Sequence, residues 1–190
     1  VGDDPGKSLV ARQMMERQDD VFYYVTVMNE NYPQPSLPAG VAEDIVSGMY
    51  RLQTSASPGE TASARLLGSG AILREVIAAA AMLRDDWQVT SEVWSVTSFS
   101  ELAREARDVE RANRLQPGAA SRQSHLERCL GGTAPIIAAT DYVRAYPQLI
   151  ASYVTAPFVA LGTDGFGRSD TRSALRAYFE VDRHHVALAA

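Results

Sequence analysis

The stretch ARLLGSGAILREVIAAAAMLRDD, residues 64–86, decides the fold class. It opens on a short apolar run, breaks at Gly68-Ser69-Gly70 and resumes with helical spacing. Ile72, Val76, Ala79 and Leu83 recur at intervals of three and four residues, which makes one stripe on a helix. Leu73, Ile77 and Ala80 form a second stripe beside it, so this helix is expected to be covered on more than one side. A strand, a tight glycine turn and a helix apolar over much of its circumference make one βα unit.

The pattern repeats downstream. SEVWSVTSF reads as a strand, and Ser98 with Glu101 predicts a capping box for a helix over residues 100–115. That helix carries Arg104–Asp108 and Glu110–Arg114 at four-residue spacing, the mark of a solvated face. A short helix is expected over residues 125–130, before Gly131 and Gly132. APIIAAT is a further strand; Asp141 is expected to cap the helix after it, and Pro147 to kink or split that helix. FVALG is the next strand. It runs into LGTDGFGRSDTR, where the glycines are expected to take positive φ and Ser169 to cap a helix. Two helical segments, SDTRSALRAYF and DRHHVALAA, close the chain.

Upstream, VAEDIVSGMYRLQ predicts a short helix and a strand over residues 49–53. Three prolines and a glycine between Pro33 and Gly40 cannot extend a sheet, so this stretch reads as an ordered loop or linker. VFYYVTVM, residues 21–28, reads as a buried strand, and SLVARQMMERQDD before it has weak helical spacing. Together these segments predict an α/β fold: a mostly parallel sheet of about five strands with helices on both faces. The strand order stays open.

Bulk properties narrow the function. The chain has 190 residues, 46% of them hydrophobic and 22% charged, which is ordinary for a globular protein with a real core. No apolar run approaches the ~18 residues of a membrane-spanning helix, and no signal-peptide pattern opens the chain. The first residue is Val, so a processed or excised piece is expected. A net charge of −5 argues against nucleic acid as a partner. The single Cys129 allows no internal disulfide, reads as a small half-buried hydrophobe, and fits a reducing, cytoplasmic location.

The short chemical motifs do not close. Leu73 stands where a dinucleotide fingerprint begun at Gly68 needs its third glycine, and Asp170 where one begun at Gly165 does. No Walker lysine follows either turn, and Asp164 and Asp170 would oppose a phosphate. His184 and His185 are adjacent and point to different helix faces, so no metal is expected. No Gly-x-Ser-x-Gly elbow occurs.

Longer words carry more. VFYYVTVMNENYPQP, LLGSGAILREVIAAA, VWSVTSFSELARE, DVERANRL, IIAATDY and LGTDGFGRSDTRSALRAYFEVD follow one another in one order. From about Arg12 to the end, the chain resembles the C-terminal part of the homodimeric, bacterial-type pyruvate dehydrogenase component, a family similar to transketolase. The resemblance implies that residues 1–39 are the end of a pyrimidine-binding domain, its last helix and strand, plus a Pro-rich linker. Residues 40–190 would be a transketolase-like C-terminal domain. It implies a full-length enzyme that uses thiamine diphosphate and Mg²⁺, decarboxylates pyruvate and passes the acetyl group to the dihydrolipoyl acetyltransferase core. The family's metal motif and catalytic glutamate are expected outside this chain, so no cofactor-binding residue is expected within it and the piece alone is expected to be inactive. Its part would be to support dimerisation and the border of the active site.

Two positions carry site roles over from the family. Tyr32, in NENY, matches a tyrosine near the reacting substrate, whose hydroxyl could hydrogen-bond a carboxylate or a developing oxyanion. Glu75 matches a position where some members have an active-site His; a carboxylate there would repel an anionic substrate unless protonated or paired. Glu30 and Asn31 are weaker, loop-shaping candidates. The family pattern reads Asp-Gly-Gln-Asp where this chain has Glu105-Ala106-Arg107-Asp108, Trp at Ala112 and His at Gln116. These departures fit a diverged paralogue acting on another 2-oxo acid, and a non-catalytic α/β interaction or regulatory module is the alternative.

Overall fold

Leu66 and Leu67, neighbours in one strand, are both fully buried yet belong to different apolar clusters, so the sheet that contains them is covered on both faces. The computed structural model describes residues 12–22 and 31–190. The chain falls into two compact units, residues 1–36 and 37–190. Of the first, a π-helical turn at Arg12–Glu16 is described. The expected strand over residues 21–28 lies outside the described residues from position 23 on, as does Glu30.

The second unit begins with α1 (Ala42–Ser47) and β1 (Met49–Thr54). β2 (Ala64–Gly68), a 3₁₀ turn at Gly70–Ile72 and α2 (Leu73–Trp87) follow. Then come β3 (Ser91–Val96), α3 (Phe99–Leu115), α4 (His125–Leu130) and β4 (Ile136–Ala139). After α5 (Ala145–Gln148) and a 3₁₀ turn at Ala151–Tyr153, β5 (Phe158–Leu161) leads to α6 (Arg172–Tyr178) and α7 (Arg183–Ala189). The five strands lie in the order β1-β3-β2-β4-β5; β1 runs antiparallel to β3 and the other pairs are parallel.

The period of two along each strand sorts the core. Leu67, Trp94, Val96, Ile136 and Ala138 face one way and pack with Leu102 and Ala106 of α3 and Leu126 and Leu130 of α4. Leu66, Val93, Ile137 and Ala139 face the other way, against Val76, Ala79 and Leu83 of α2 and Val186 of α7. β2 and β4 are buried along their whole length because each has a strand on both sides and helices on both faces.

Arg65 is the charged residue of β2, and it too is buried, at 8% exposure. Its Nη1 and Nη2 donate to the carbonyls of Leu130 (2.9 Å) and Gly131 (2.7 Å), the open end of α4, and its Nε reaches Glu92 at 3.3 Å. A guanidinium there satisfies terminal carbonyls and opposes the negative end of the helix dipole. At the other end of α4, Ser124 and Glu127 form a reciprocal capping box.

Local expectations were met unevenly. Ser98 accepts the N–H of Glu101 at 3.1 Å, but the Glu101 side chain pairs with Arg104 and leaves the box half closed. Asp141 does not cap α5; the residue before that helix is Arg144, without a side-chain cap. The helix is only four residues long, and after Pro147 the chain passes to the 3₁₀ turn, so the proline splits the expected helix. α6 is capped by Thr171, which accepts the N–H of Ala174 at 3.3 Å, and not by Ser169. Among the described residues, no helix is long and apolar enough to cross a membrane.

Candidate functional site at the carboxyl edge of the sheet

From β2 the chain passes to β3 on one side, then crosses back to β4 on the other. The strand order therefore reverses between β2 and β4, and in open α/β sheets ligands lodge outside the carboxyl ends of the strands at such a point. Here that edge is built from the turn after β2, residues 140–144 after β4 and residues 162–164 after β5.

The edge is closely knitted. Ser69 N–H donates to the Ala139 carbonyl (3.1 Å), and Thr140 N–H to that of Leu161 (3.1 Å). Thr163 donates its N–H to the Tyr142 carbonyl (2.9 Å) and its hydroxyl to that of Asp141 (3.1 Å). Asp164 accepts the backbone N–H and the Nε of Arg144, at 3.1 and 2.9 Å. Tyr142 and Tyr146 stand exposed in an edge-to-face pair, with ring centroids 4.9 Å apart.

Glu75 lies in the first turn of α2, just beyond this edge, and is 5% exposed. Its carboxylate accepts four hydrogen bonds. Arg183 supplies its backbone N–H (3.2 Å), Nε (2.9 Å) and Nη2 (3.3 Å), and Arg176 its Nη1 (3.1 Å). Burial pushes the carboxyl up, but the Arg183 hydrogen bonds and charge, joined by the charge of Arg176, outweigh it and hold Glu75 below the usual carboxylate range. The glutamate is thus ionised and paired, and it ties α2 to α6 and α7. Both arginines lie more than a hundred positions downstream, beyond the reach of any local spacing rule.

Tyr32 belongs to the first unit, where its side chain is half-buried. Asn31 beside it is exposed. His185 Nδ1 bonds Asp182 Oδ1 at 2.8 Å, and Asp182 caps α7. The buried His125 places Nε2 3.0 Å from the Met49 carbonyl, with Cys129 Sγ 3.6 Å away. Burial, then the charge of Asp44, pushes the Cys129 thiol up to about 11, so it is no ready nucleophile.

A diphosphate with its metal ion needs converging N–H donors and oxygen ligands. Among the described residues, no group of three or more His, Cys, Asp or Glu side chains could hold a metal ion together. At the glycine turn after β2, Asp141 Oδ1 stands only 3.0 Å from where a Cβ on Gly70 would sit, a negative charge against any anion. Near the turn after β5, Asp164 is already paired with Arg144 and Asp170 accepts the Thr171 N–H. Among the described residues, none of these side chains fits the diphosphate and Mg²⁺ that the resemblance implies for the full-length enzyme.

Comparison with known proteins places these features in a family. Residues 48–182 match the domain described as transketolase-like TK C-terminal domain. The pyruvate dehydrogenase E1 component of Cupriavidus necator is 54% identical over 180 residues, covering 94% of this chain and 20% of that protein. The protein of the same name from Escherichia coli K12 is 46% identical over equal shares. Among solved structures, a transketolase from Leishmania mexicana aligns at a TM-score of 0.49 with 18% identity, covering 79% of this chain and 18% of that one. The chain spans about a fifth of the length of the curated relatives it matches.

Proposed function

The chain belongs to the transketolase-like TK C-terminal domain family, and from that premise we propose that it is the C-terminal part of an acetyl-transferring pyruvate dehydrogenase component. The observation that carries the reading is 54% identity, over 94% of the chain, to a relative of that name. On this reading the parent polypeptide is a cytoplasmic homodimer that decarboxylates pyruvate and hands the acetyl group to a dihydrolipoyl acetyltransferase core. Thiamine diphosphate and Mg²⁺ are assigned to the rest of the parent, a reading supported by the described residues, which do not fit them. Residues 1–39 end the pyrimidine-binding domain and its linker, and 40–190 form the C-terminal domain, which supports dimerisation and borders the active site.

Within this chain, Tyr32 is assigned a hydrogen bond to the substrate carboxylate or to its developing oxyanion. Glu75 is assigned no proton transfer. An ionised carboxylate with four donors on its two oxygens is a poor base, and it serves by fixing the first turn of α2 behind the carboxyl edge.

The test compares the parent polypeptide with the 190-residue chain in pyruvate-dependent acetyl transfer, with thiamine diphosphate, Mg²⁺ and a lipoyl acceptor supplied. The parent is expected to turn over and the chain alone to show none. Turnover by the chain alone, or a parent that acts only on other 2-oxo acids, overturns the reading. In the parent, Tyr32→Phe is expected to lower kcat by roughly ten- to hundredfold. Unchanged kinetics would remove Tyr32 from the site.

A further inference from the structure

Phe166 stands 98% exposed at the tip of the loop between β5 and α6. Gly165 and Gly167 flank it, and nothing lies within 4 Å of a Cβ built on either. The loop beneath is braced. On one side Thr163 is bonded to the carbonyls of Tyr142 and Asp141, and Asp164 is bonded to Arg144. On the other, the Arg168 guanidinium lies 4.4 Å from the centroid of the Tyr178 ring, and Thr171 caps α6. The segment to which the base is tied carries Tyr142, Val143, Tyr146 and Leu149, all exposed. An exposed aromatic ring on a loop with a braced base, two residues from an arginine and tied through that base to a segment with two exposed tyrosines, has the composition of an interface anchor.

We propose that Phe166 is the anchor through which this domain docks on the rest of its parent polypeptide, its ring entering an apolar pocket there. The proposal rests on the functional reading above. The matching relatives are about five times as long as the region they share with this chain, so on that reading most of the parent polypeptide lies outside it and supplies the pocket. A second exposed apolar site, Trp87 and Leu188 beside a cleft of about 460 Å³ between α2 and α7, provides the control.

Hydrogen exchange at the amides of Gly165, Phe166 and Gly167, measured in the 190-residue chain and in the parent, tests it. Exchange at least tenfold slower in the parent is expected. Phe166→Ala in the parent should return the loop to the rate of the isolated chain, whereas Trp87→Ala should leave it protected. Equal rates in chain and parent, or protection that survives Phe166→Ala, overturn the proposal. So does protection that grows in the 190-residue chain alone as its concentration is raised, which would make a second copy the occupant. A native product whose mass equals that of this chain would instead remove the functional reading, and the docking proposal with it.

Discussion

The two glycine turns, Gly68-Ser69-Gly70 and Gly165-Phe166-Gly167, are spelled alike and sit alike, each after a parallel strand and before a helix. They differ in what surrounds them. At Gly68 an added Cβ would lie 2.7 Å from the Leu73 Cα and 3.1 Å from Val76 Cγ2, so α2 folds back directly onto the strand end. At Gly165 (φ +85°) and Gly167 the same atom would meet nothing within 4 Å. The first turn leaves the centre of the sheet and is filled by its own helix; the second leaves an edge strand and projects into solvent. One glycine is needed for close approach, the other only for backbone conformation.

That contrast can be broken by a graded set of substitutions in the 190-residue chain, read by denaturant or thermal unfolding. Gly68→Ala should cost most, about 3 kcal/mol, because the clash is with backbone that cannot rotate away. At roughly 2–4 °C per kcal/mol for a chain of this size, the loss shows plainly in Tm. Glu75→Gln should come next, at about 2 kcal/mol. It leaves the guanidiniums of Arg176 and Arg183 without their charge partner, and the half-exposure of Arg183 keeps the cost below that of a fully buried pair.

The Glu75 effect has a pH signature. Its folded-state value is depressed, so its contribution is fully present above the ordinary carboxylate value and is lost as pH falls through the folded one. The gap in stability between the native chain and Glu75→Gln should therefore close on acidification. A gap that stayed constant from neutral pH into the acid range would mean that the ion cluster contributes nothing through charge.

Gly165→Ala should cost about 1 kcal/mol, the strain of a side chain at positive φ with room around it. Gly167→Ala should change stability by less than about 0.5 kcal/mol. If Gly165→Ala proved as costly as Gly68→Ala, the distinction between a packed and an open turn would fail.

Much of the fold was legible in the residues. The strands over 64–68, 91–96, 136–139 and 158–161 announce themselves as apolar runs of strand length, and the double stripe of α2 announces a helix covered on two sides. The end points of helices were harder. Asp141 and Ser169 have the right chemistry for caps, but Asp141 is drawn to the edge beside Gly70 and the cap of α6 falls two residues later, at Thr171. Capping depends on where the chain arrives in space, which a short polar side chain does not dictate.

Of the candidate site, the sequence named Glu75 and stated the condition for a carboxylate there, that it be protonated or paired. It could not name the partners. Arg176 and Arg183 lie in segments that read only as ordinary helices, and only the approach of both α6 and α7 to α2 brings them to the same carboxylate.

By itself, then, the sequence determined the class, the succession of βα units and the family, because apolar periodicity and long ordered words are local records along the chain. The tertiary structure alone decided the order β1-β3-β2-β4-β5, the pairing of Glu75 and the different fates of the two glycine turns. Each of those depends on which distant surface a segment meets, and contact at long sequence separation leaves no periodic trace in the residues that make it.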